Sequence, residues 1–445
     1  MTVKRICAAA AVALAAVQAA AIDDAHLDWW RHDRFGLFVH FGLYSMPARH
    51  EWVKTREQIP EEKYDEYFKR FDPDLFDAKD WAKRAKAAGM KYAVLTSKHH
   101  EGFCLFDSAA TDYKSTKTPF GRDIVKEFVE AFRAEGLKVG FYYSLLDWHH
   151  PHYAIDKHHP LRPAKCRPGD KKKLGAVPED EWAELNKSRD MDVYRKYMFD
   201  QVTELLTKYG KIDIMWFDFT SPGNHGKTPE DWNAKELLAL VRRLQPGIIV
   251  NNRLGLNGKD EDFGDFVTPE QCRITKWAER NGARAPWELC QTFSGSWGYH
   301  REERSWKTPH QIIDILVSCV SHGGNLILNV GPTGRGDFDY RANDALAAIG
   351  AWMKHNSRSI YGCTEPPEEF KAPAGTRLTW NPVTKRLYAH LFDYKGGKLP
   401  VGFADRIAYA QFLHDASELA HGADGIALPE TKPPVEVPVV EMWMR

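Results

Sequence analysis

The residues Lys211-Ile-Asp-Ile-Met-Trp-Phe-Asp218 constrain the fold of this chain more than any other stretch. Tyr209-Gly210 ends a helical run before them, and Phe219-Thr-Ser-Pro-Gly223 opens a loop after them. Between the two lies an apolar run, Ile212, Ile214, Met215, Trp216 and Phe217, closed by a carboxylate. A short apolar run bounded by turn signals reads as a strand covered on both faces, the condition of a parallel sheet. Parallel strands need crossover connections, so helices must alternate with strands along the chain. Asp218 falls at the C-terminal end of its strand, where barrel enzymes keep their chemistry. Capping of the next segment is the plainer role for the same residue.

The rest of the sequence supplies that alternation. Strand-like segments lie at 34–41, 92–96, 137–144, 211–218, 248–251, 262–268, 287–292 and 323–330. Helix-like segments lie at 77–88, 124–134, 193–208, 234–244, 308–320 and 340–355, several of them stopped by Gly89, Gly136 or Pro246-Gly247. Eight strands alternating with helices argue for an α/β fold, a (β/α)8 TIM-like barrel over residues 22–365. A doubly wound sheet would need G-x-G-x-x-G after its first strand, and none is there. Residues 149–190 are rich in His, Lys, Pro and Asp and read as a surface excursion. Beyond Pro366-Pro367, short alternating segments such as Arg386-Leu-Tyr-Ala-His-Leu-Phe392 are divided by Gly and Pro. They predict a small C-terminal antiparallel β-sandwich over 366–445.

The first 21 residues read as a signal peptide: Lys4-Arg5, an apolar stretch from Ala8 to Val17, and Ala19-Ala-Ala21 before Ile22. The expected location is therefore secreted or periplasmic. The apolar stretch is too short for a membrane anchor, and no later one approaches ~18 residues. Basic and acidic residues balance at 61 each, without a basic tract, so nucleic acid is not an expected partner. The later cysteines, Cys104, Cys166, Cys272, Cys290, Cys319 and Cys363, lack C-x-x-C spacing. Cys104, Cys290 and Cys319 sit in apolar segments and read as buried thiols.

In a barrel, the strand ends should form one polar rim. They carry His40; Ser97-Lys-His-His-Glu101; Tyr143 with Asp147-Trp148; Asp218; Asn251-Asn-Arg253; Thr268-Pro-Glu270; Trp287-Glu288; and Asn329. Metal hydrolysis is disfavoured, since the neighbours His99 and His100 point to opposite faces of a strand and H-E-x-x-H is absent. Ser-His-Asp catalysis lacks its G-x-S-x-G elbow. Glycoside hydrolysis needs two carboxyl groups, one ionised and one acidic, and Asp218 and Glu270 come from different strands of the rim. A first-turn helix residue after Pro269 is the plainer role for Glu270.

Here a resemblance enters. Trp29-Trp-Arg-His-Asp-Arg-Phe-Gly-Leu-Phe-Val-His-Phe-Gly-Leu-Tyr44 resembles the opening of the retaining alpha-L-fucosidases of glycoside hydrolase family 29. So do Glu51-Trp52, Ser97-Lys-His-His-Glu-Gly-Phe103, Tyr142-Tyr-Ser144, Trp216-Phe-Asp218, Asn252-Arg253, Gly264-Asp-Phe-Val-Thr-Pro-Glu270, Ser296-Trp-Gly-Tyr299 and Gly324-Asn-Leu-Ile-Leu-Asn-Val-Gly331. The resemblance implies an exo-acting enzyme on fucosylated glycans, with no metal or organic cofactor. It implies Asp218 as nucleophile and Glu270 as acid/base, with Glu288 as the competitor for that second role. It also implies a sugar pocket drawn from His40, Glu51, Trp52, His99, His100, Tyr143, Trp216, Arg253, Glu288 and Trp297. The alternatives are a glycosidase for a related sugar, such as an alpha-L-galactoside, and a non-catalytic fucose-binding barrel.

Overall fold

A computed structural model describes residues 24–163, 178–257, 260 and 262–445; the expected signal peptide and Cys166 lie outside them. Seven strands form one parallel sheet. They are β1 (Phe35–Val39), β2 (Tyr92–Lys98), β3 (Lys138–Ser144), β4 (Ile214–Asp218), β5 (Ile249–Val250), β8 (Glu288–Thr292) and β9 (Asn325–Val330). Their order is β5-β4-β3-β2-β1-β9-β8. A two-residue hairpin, β6 (Glu279–Arg280) with β7 (Ala283–Arg284), precedes β8.

The gap between β5 and β8 is the sixth stave of a barrel. The expected strand at 262–268 is not continuous there. It is reduced to isolated parallel bridges, Asn251 with Phe266 and Val267 with Trp287, followed by Glu270 with Cys290. Three features interrupt the ladder. Gly264 takes φ +88°. The Asp265 carboxylate accepts from Val250 N at 2.6 Å, where a backbone carbonyl would otherwise serve. Pro269 has no N–H to give.

Strand residues alternate between two environments, as the pleat requires. Phe38, Val94, Tyr142, Ile214, Trp216, Ile249, Cys290 and Ile327 face inward and form the barrel interior. Their neighbours, including Leu37, Leu95, Phe141, Met215, Phe217 and Leu328, face outward onto Phe128, Phe132, Leu205 and Leu316 of the surrounding helices. Full burial of each such side chain stabilises the fold by about 1.5–3 kcal/mol. Gly36 is required on the inner face, because a Cβ there would come within 2.2 Å of the Tyr92 ring opposite.

Helices Ile124–Ala134 and Ala234–Leu244 coincide with the sequence reading. Helix Pro309–Val320 starts with a full capping box between Thr308 and Gln311. Shorter helices at Asp28–Asp33 and Glu61–Phe68 escaped the reading, being too brief to show a period. The first of them plugs the barrel bottom, placing Trp30 5.0 Å from Phe266.

The 149–190 segment corrects the expectation of a surface excursion, as far as its described residues go. Tyr153, Ile155, Asp156, His159 and Arg162 are buried. Some of its polar groups pair within the segment: Asp156 accepts from His158 N at 2.7 Å and His159 N at 3.0 Å.

Past the barrel lie β10 (Thr376–Asn381), β11 (Arg386–Leu391), β12 (Gly397–Leu399), β13 (Ile407–Phe412), β14 (His421–Gly422), β15 (Gly425–Leu428) and β16 (Val439–Met444). They make two antiparallel sheets, β10-β11-β16-β13 and β12-β15-β14. Leu387, Ala389, Ile407, Ile426, Val440 and Met442 fill the space between them. Among the described residues, no helix is long and apolar enough to cross a membrane.

Candidate active site

β4 delivers Asp218 to the C-terminal mouth of the barrel. Its backbone is held by Leu145 N, which donates to its carbonyl at 3.0 Å. Its carboxylate takes two hydrogen bonds, from Tyr142 Oη to Oδ2 at 2.8 Å and from Arg253 Nη1 to Oδ1 at 2.9 Å. Burial pushes this carboxyl above its ordinary value, the Arg253 guanidinium opposes the rise, and the nearby Glu270 charge adds to it.

Arg253 links the two candidate carboxylates. Nη1 binds Asp218, and Nη2 binds Glu270 Oε2 at 2.7 Å. Its Nε donates to Thr268 Oγ1 at 2.9 Å, and its guanidinium lies 4.5 Å from the centre of the Trp216 ring. Burial works against its charge, and Asp218, Cys290 and Glu270 together more than offset that cost, so its pKa is raised. Asp218 and Glu270 thus stand one guanidinium apart. The Asp218 side chain is 12% exposed and that of Glu270 is 40%, so one lies deep and the other at the mouth.

The pocket between them is lined by Phe38, His40, Trp52, His99, His100, Tyr142, Trp216, Phe219, Cys290 and Trp297, and encloses about 410 Å³ including its mouth. Three imidazoles sit in one wall. Burial drives His40 down to about 3 and holds His99 and His100 well below the usual imidazole range, so all three are neutral at pH 7. Neutral imidazoles can both donate and accept, which suits sugar hydroxyls. His40 Nδ1 pairs with Asn329 Oδ1 at 2.6 Å, and His100 Nδ1 with Ser144 Oγ at 2.7 Å. His99 Nδ1 is buried with no partner among the described residues.

Three expected pocket residues lie elsewhere. Tyr143 faces outward: its hydroxyl donates to Gln201 at 2.8 Å, and its ring lies over the Lys98 ammonium. The pocket tyrosine is Tyr142, because β3 and β4 register Tyr142 with Trp216 and Ser144 with Asp218, all on the inner face. Glu288 is inward but one pleat below Cys290, at the start of β8. It is fully buried, accepts from Tyr92 Oη and from Trp30 Nε1, and is absent from the pocket lining. Glu51 is buried outside the lining as well; its Oε2 accepts from Ser296 Oγ, Trp297 N and Gly298 N, each at 3.0 Å. It holds the loop that presents Trp297, and Asn329 Nδ2 grips the same loop at the Trp297 carbonyl, 2.6 Å away.

Glu288 carries a stability prediction. Burial raises its pKa from 4.5 to about 7. The folded state therefore holds this proton more tightly than the unfolded state. The resulting stability is fully present below about pH 4.5 and is lost as pH rises through about 7. Glu51 and Glu101, also raised to about 7 by burial, add to the slope. The buried histidines, held neutral in the folded state, pull stability the other way in both proteins alike, so the test is a difference: from pH 5 to pH 8 the melting temperature of Glu288→Gln should rise relative to that of the unaltered protein. The same change with pH in both proteins would refute this account of Glu288.

A larger cleft, about 1370 Å³ including its mouth, is lined by Arg284, Glu365 and Arg377 among others, near the start of β10. Its arginines are already paired, Arg284 with Glu365 at 2.6 Å and Arg377 with Asp314 on both oxygens, so it gathers no free chemistry. Among the described residues, Glu61, Asp65 and His149 could together hold a metal ion, but they lie outside the pocket lining and Lys54 pairs with Glu61 at 3.0 Å.

The pocket has the makings of a two-carboxylate glycosidase, and comparison with known proteins narrows this. A family model described as Alpha-L-fucosidase matches residues 8–358. The chain belongs to the alpha-L-fucosidase family. The plasma alpha-L-fucosidase of Homo sapiens is 30% identical over 357 residues, 75% of this chain and 68% of that one. Among solved structures, alpha-L-fucosidase isoenzyme 1 of Paenibacillus thiaminolyticus is 44% identical, with TM-score 0.85, covering 94% of this chain and 99% of the other. A family 29 alpha-L-fucosidase of Bacteroides thetaiotaomicron, captured as a covalent intermediate with 2-fluoro-fucosyl fluoride, is 26% identical with TM-score 0.78, covering 95% and 97%. The barrel followed by two antiparallel sheets is thus the family architecture.

Sequence reasoning placed Asn329 on the rim but missed Tyr142, Phe38, Phe219 and Cys290 as pocket residues. Alternation would have found Phe38, two residues before His40 on the inner face of β1.

Proposed function

We propose that the chain releases terminal alpha-L-fucosyl residues from glycans by a two-step retaining mechanism. The observation that carries this reading is the pair Asp218 and Glu270, bridged by one guanidinium across a one-sugar pocket. Retaining enzymes keep their carboxyl groups about 5–5.5 Å apart, because no water stands between nucleophile and sugar. Asp218, buried and hydrogen-bonded by Tyr142 and Arg253, attacks the anomeric carbon. Glu270, at the mouth, leaves Arg253 to protonate the departing oxygen and then takes a proton from the water that cleaves the ester. His40, His99 and His100 bind the hydroxyls, while Trp216 and Trp297 cover the apolar edge and the methyl group, which favours an aromatic wall.

We assign residues 22–365 to the catalytic barrel and 366–445 to the sandwich. The apolar leader at 1–21 supports export, and fucosylated glycoconjugates outside the cytoplasm would be the substrates. The test is turnover of an aryl alpha-L-fucoside followed by NMR. Alpha-fucose should appear first; no turnover, or the beta anomer first, would contradict the reading.

A further inference from the structure

Three segments meet at the mouth of the pocket, and one comes from the segment the sequence left unexplained. Phe219 follows Asp218 directly and takes φ +88°, a backbone region that bulky residues rarely enter. Such outliers persist where the surroundings enforce them, and they cluster at functional sites. Here the turn sends the ring back over the pocket. It packs 5.3 Å from Trp52, 5.0 Å from His100 and 4.7 Å from His158, centre to centre. Trp52 and His158 also touch each other, at 5.7 Å.

The loop around His158 is fastened to both neighbours. Thr55 Oγ1 donates to the His158 carbonyl at 2.7 Å, and Arg162 Nη2 donates to the Thr55 carbonyl at 3.0 Å. On the other side, Lys157 N donates to the His225 carbonyl at 2.9 Å and Lys157 Nζ to the Ser221 carbonyl at 3.1 Å. The 155–162 loop therefore staples the loop after β1 to the loop after β4. Among the described residues His158 Nε2 is buried without a partner, although buried polar atoms are normally paired.

We propose that Phe219, Trp52 and His158 form the wall that receives the leaving group, and that Phe219 sets the enzyme's selectivity for it. The inference rests on the fucosidase reading. With fucose in the deep part of the pocket, over Phe38 and Trp216, the anomeric oxygen leaves on the face opposite the Asp218 carboxylate, toward the mouth that holds Glu270. Phe219 and Trp52 line the same pocket as Glu270. The ligand is a sugar or aryl ring that lays an apolar face on the aromatic wall, and in the sugar case gives His158 Nε2 a hydroxyl partner.

The test compares two substrates in Phe219→Gly, a change that removes the ring and suits the positive φ. An aryl alpha-L-fucoside has a ring to place on the wall; alpha-L-fucosyl fluoride has none. The ratio of kcat/KM for the aryl fucoside to that for the fluoride should fall about ten-fold, the scale of one lost pocket contact, with the loss carried in KM. His158→Ala should move a fucosyl disaccharide to fluoride ratio in the same direction. An unchanged ratio in both variants would overturn the proposal, as would a loss equal for both substrates. Failure of the unaltered enzyme to release fluoride would overturn the fucosidase reading instead.

Discussion

Replacing Asp218 with glycine should lower turnover of an aryl alpha-L-fucoside by about 10⁴-fold or more, the scale on which loss of a covalent nucleophile acts. The fold should survive. Asp218 belongs to the rim, burial already disfavours its ionised form, and Arg253 keeps its hydrogen bonds to Glu270 and Thr268. Its removal leaves an opening bounded by Tyr142 and Arg253. Azide should enter that opening and restore part of the rate, producing the beta-fucosyl azide because it attacks from the face Asp218 vacated. A glycine variant with near-normal activity and no azide would remove Asp218 from the mechanism.

The second large effect concerns Glu270. General acid catalysis contributes typically 10²–10⁴-fold, and only to leaving groups that need a proton. Glu270→Ala should therefore cost about that much on a fucosyl disaccharide and far less on a nitrophenyl fucoside. Glu288→Gln should show no such dependence, since Glu288 lies beneath the pocket floor, bonded to Tyr92 and Trp30. Leaving-group dependence in the Glu288 variant and none in the Glu270 variant would reverse the assignment.

The sequence carried the barrel well where strands were long and apolar. β4 was legible because Ile214 to Phe217 are buried on both sides, and the helix at 124–134 because its buried positions, among them Ile124, Phe128 and Phe132, repeat at helical spacing. The sixth stave was placed at 262–268, but its interruption was not legible, because side-chain bonds from Asp265 replace part of its ladder. Among site residues, Asp218, Arg253 and the three histidines came through because strand ends are legible. Tyr143 did not. Two adjacent tyrosines look alike in sequence, and only the register with β4 decides that Tyr142 turns inward. Glu51 and Glu288 illustrate a further limit. Both are buried carboxylates near the site, but one organises a loop and the other the barrel floor. Their chemistry marks them as important without saying which surface they face.

The account stands on a covalent bond between fucose and Asp218. Incubation with 2-fluoro-fucosyl fluoride, digestion and mass spectrometry would test it most directly. The 2-fluoro group slows both steps, and the fluoride leaving group keeps the first one fast enough for the ester to accumulate. The account predicts one added 2-fluoro-fucosyl group, on the peptide that contains Asp218. A label on the Glu270 or Glu288 peptide, or hydrolysis without any labelled peptide, would contradict it.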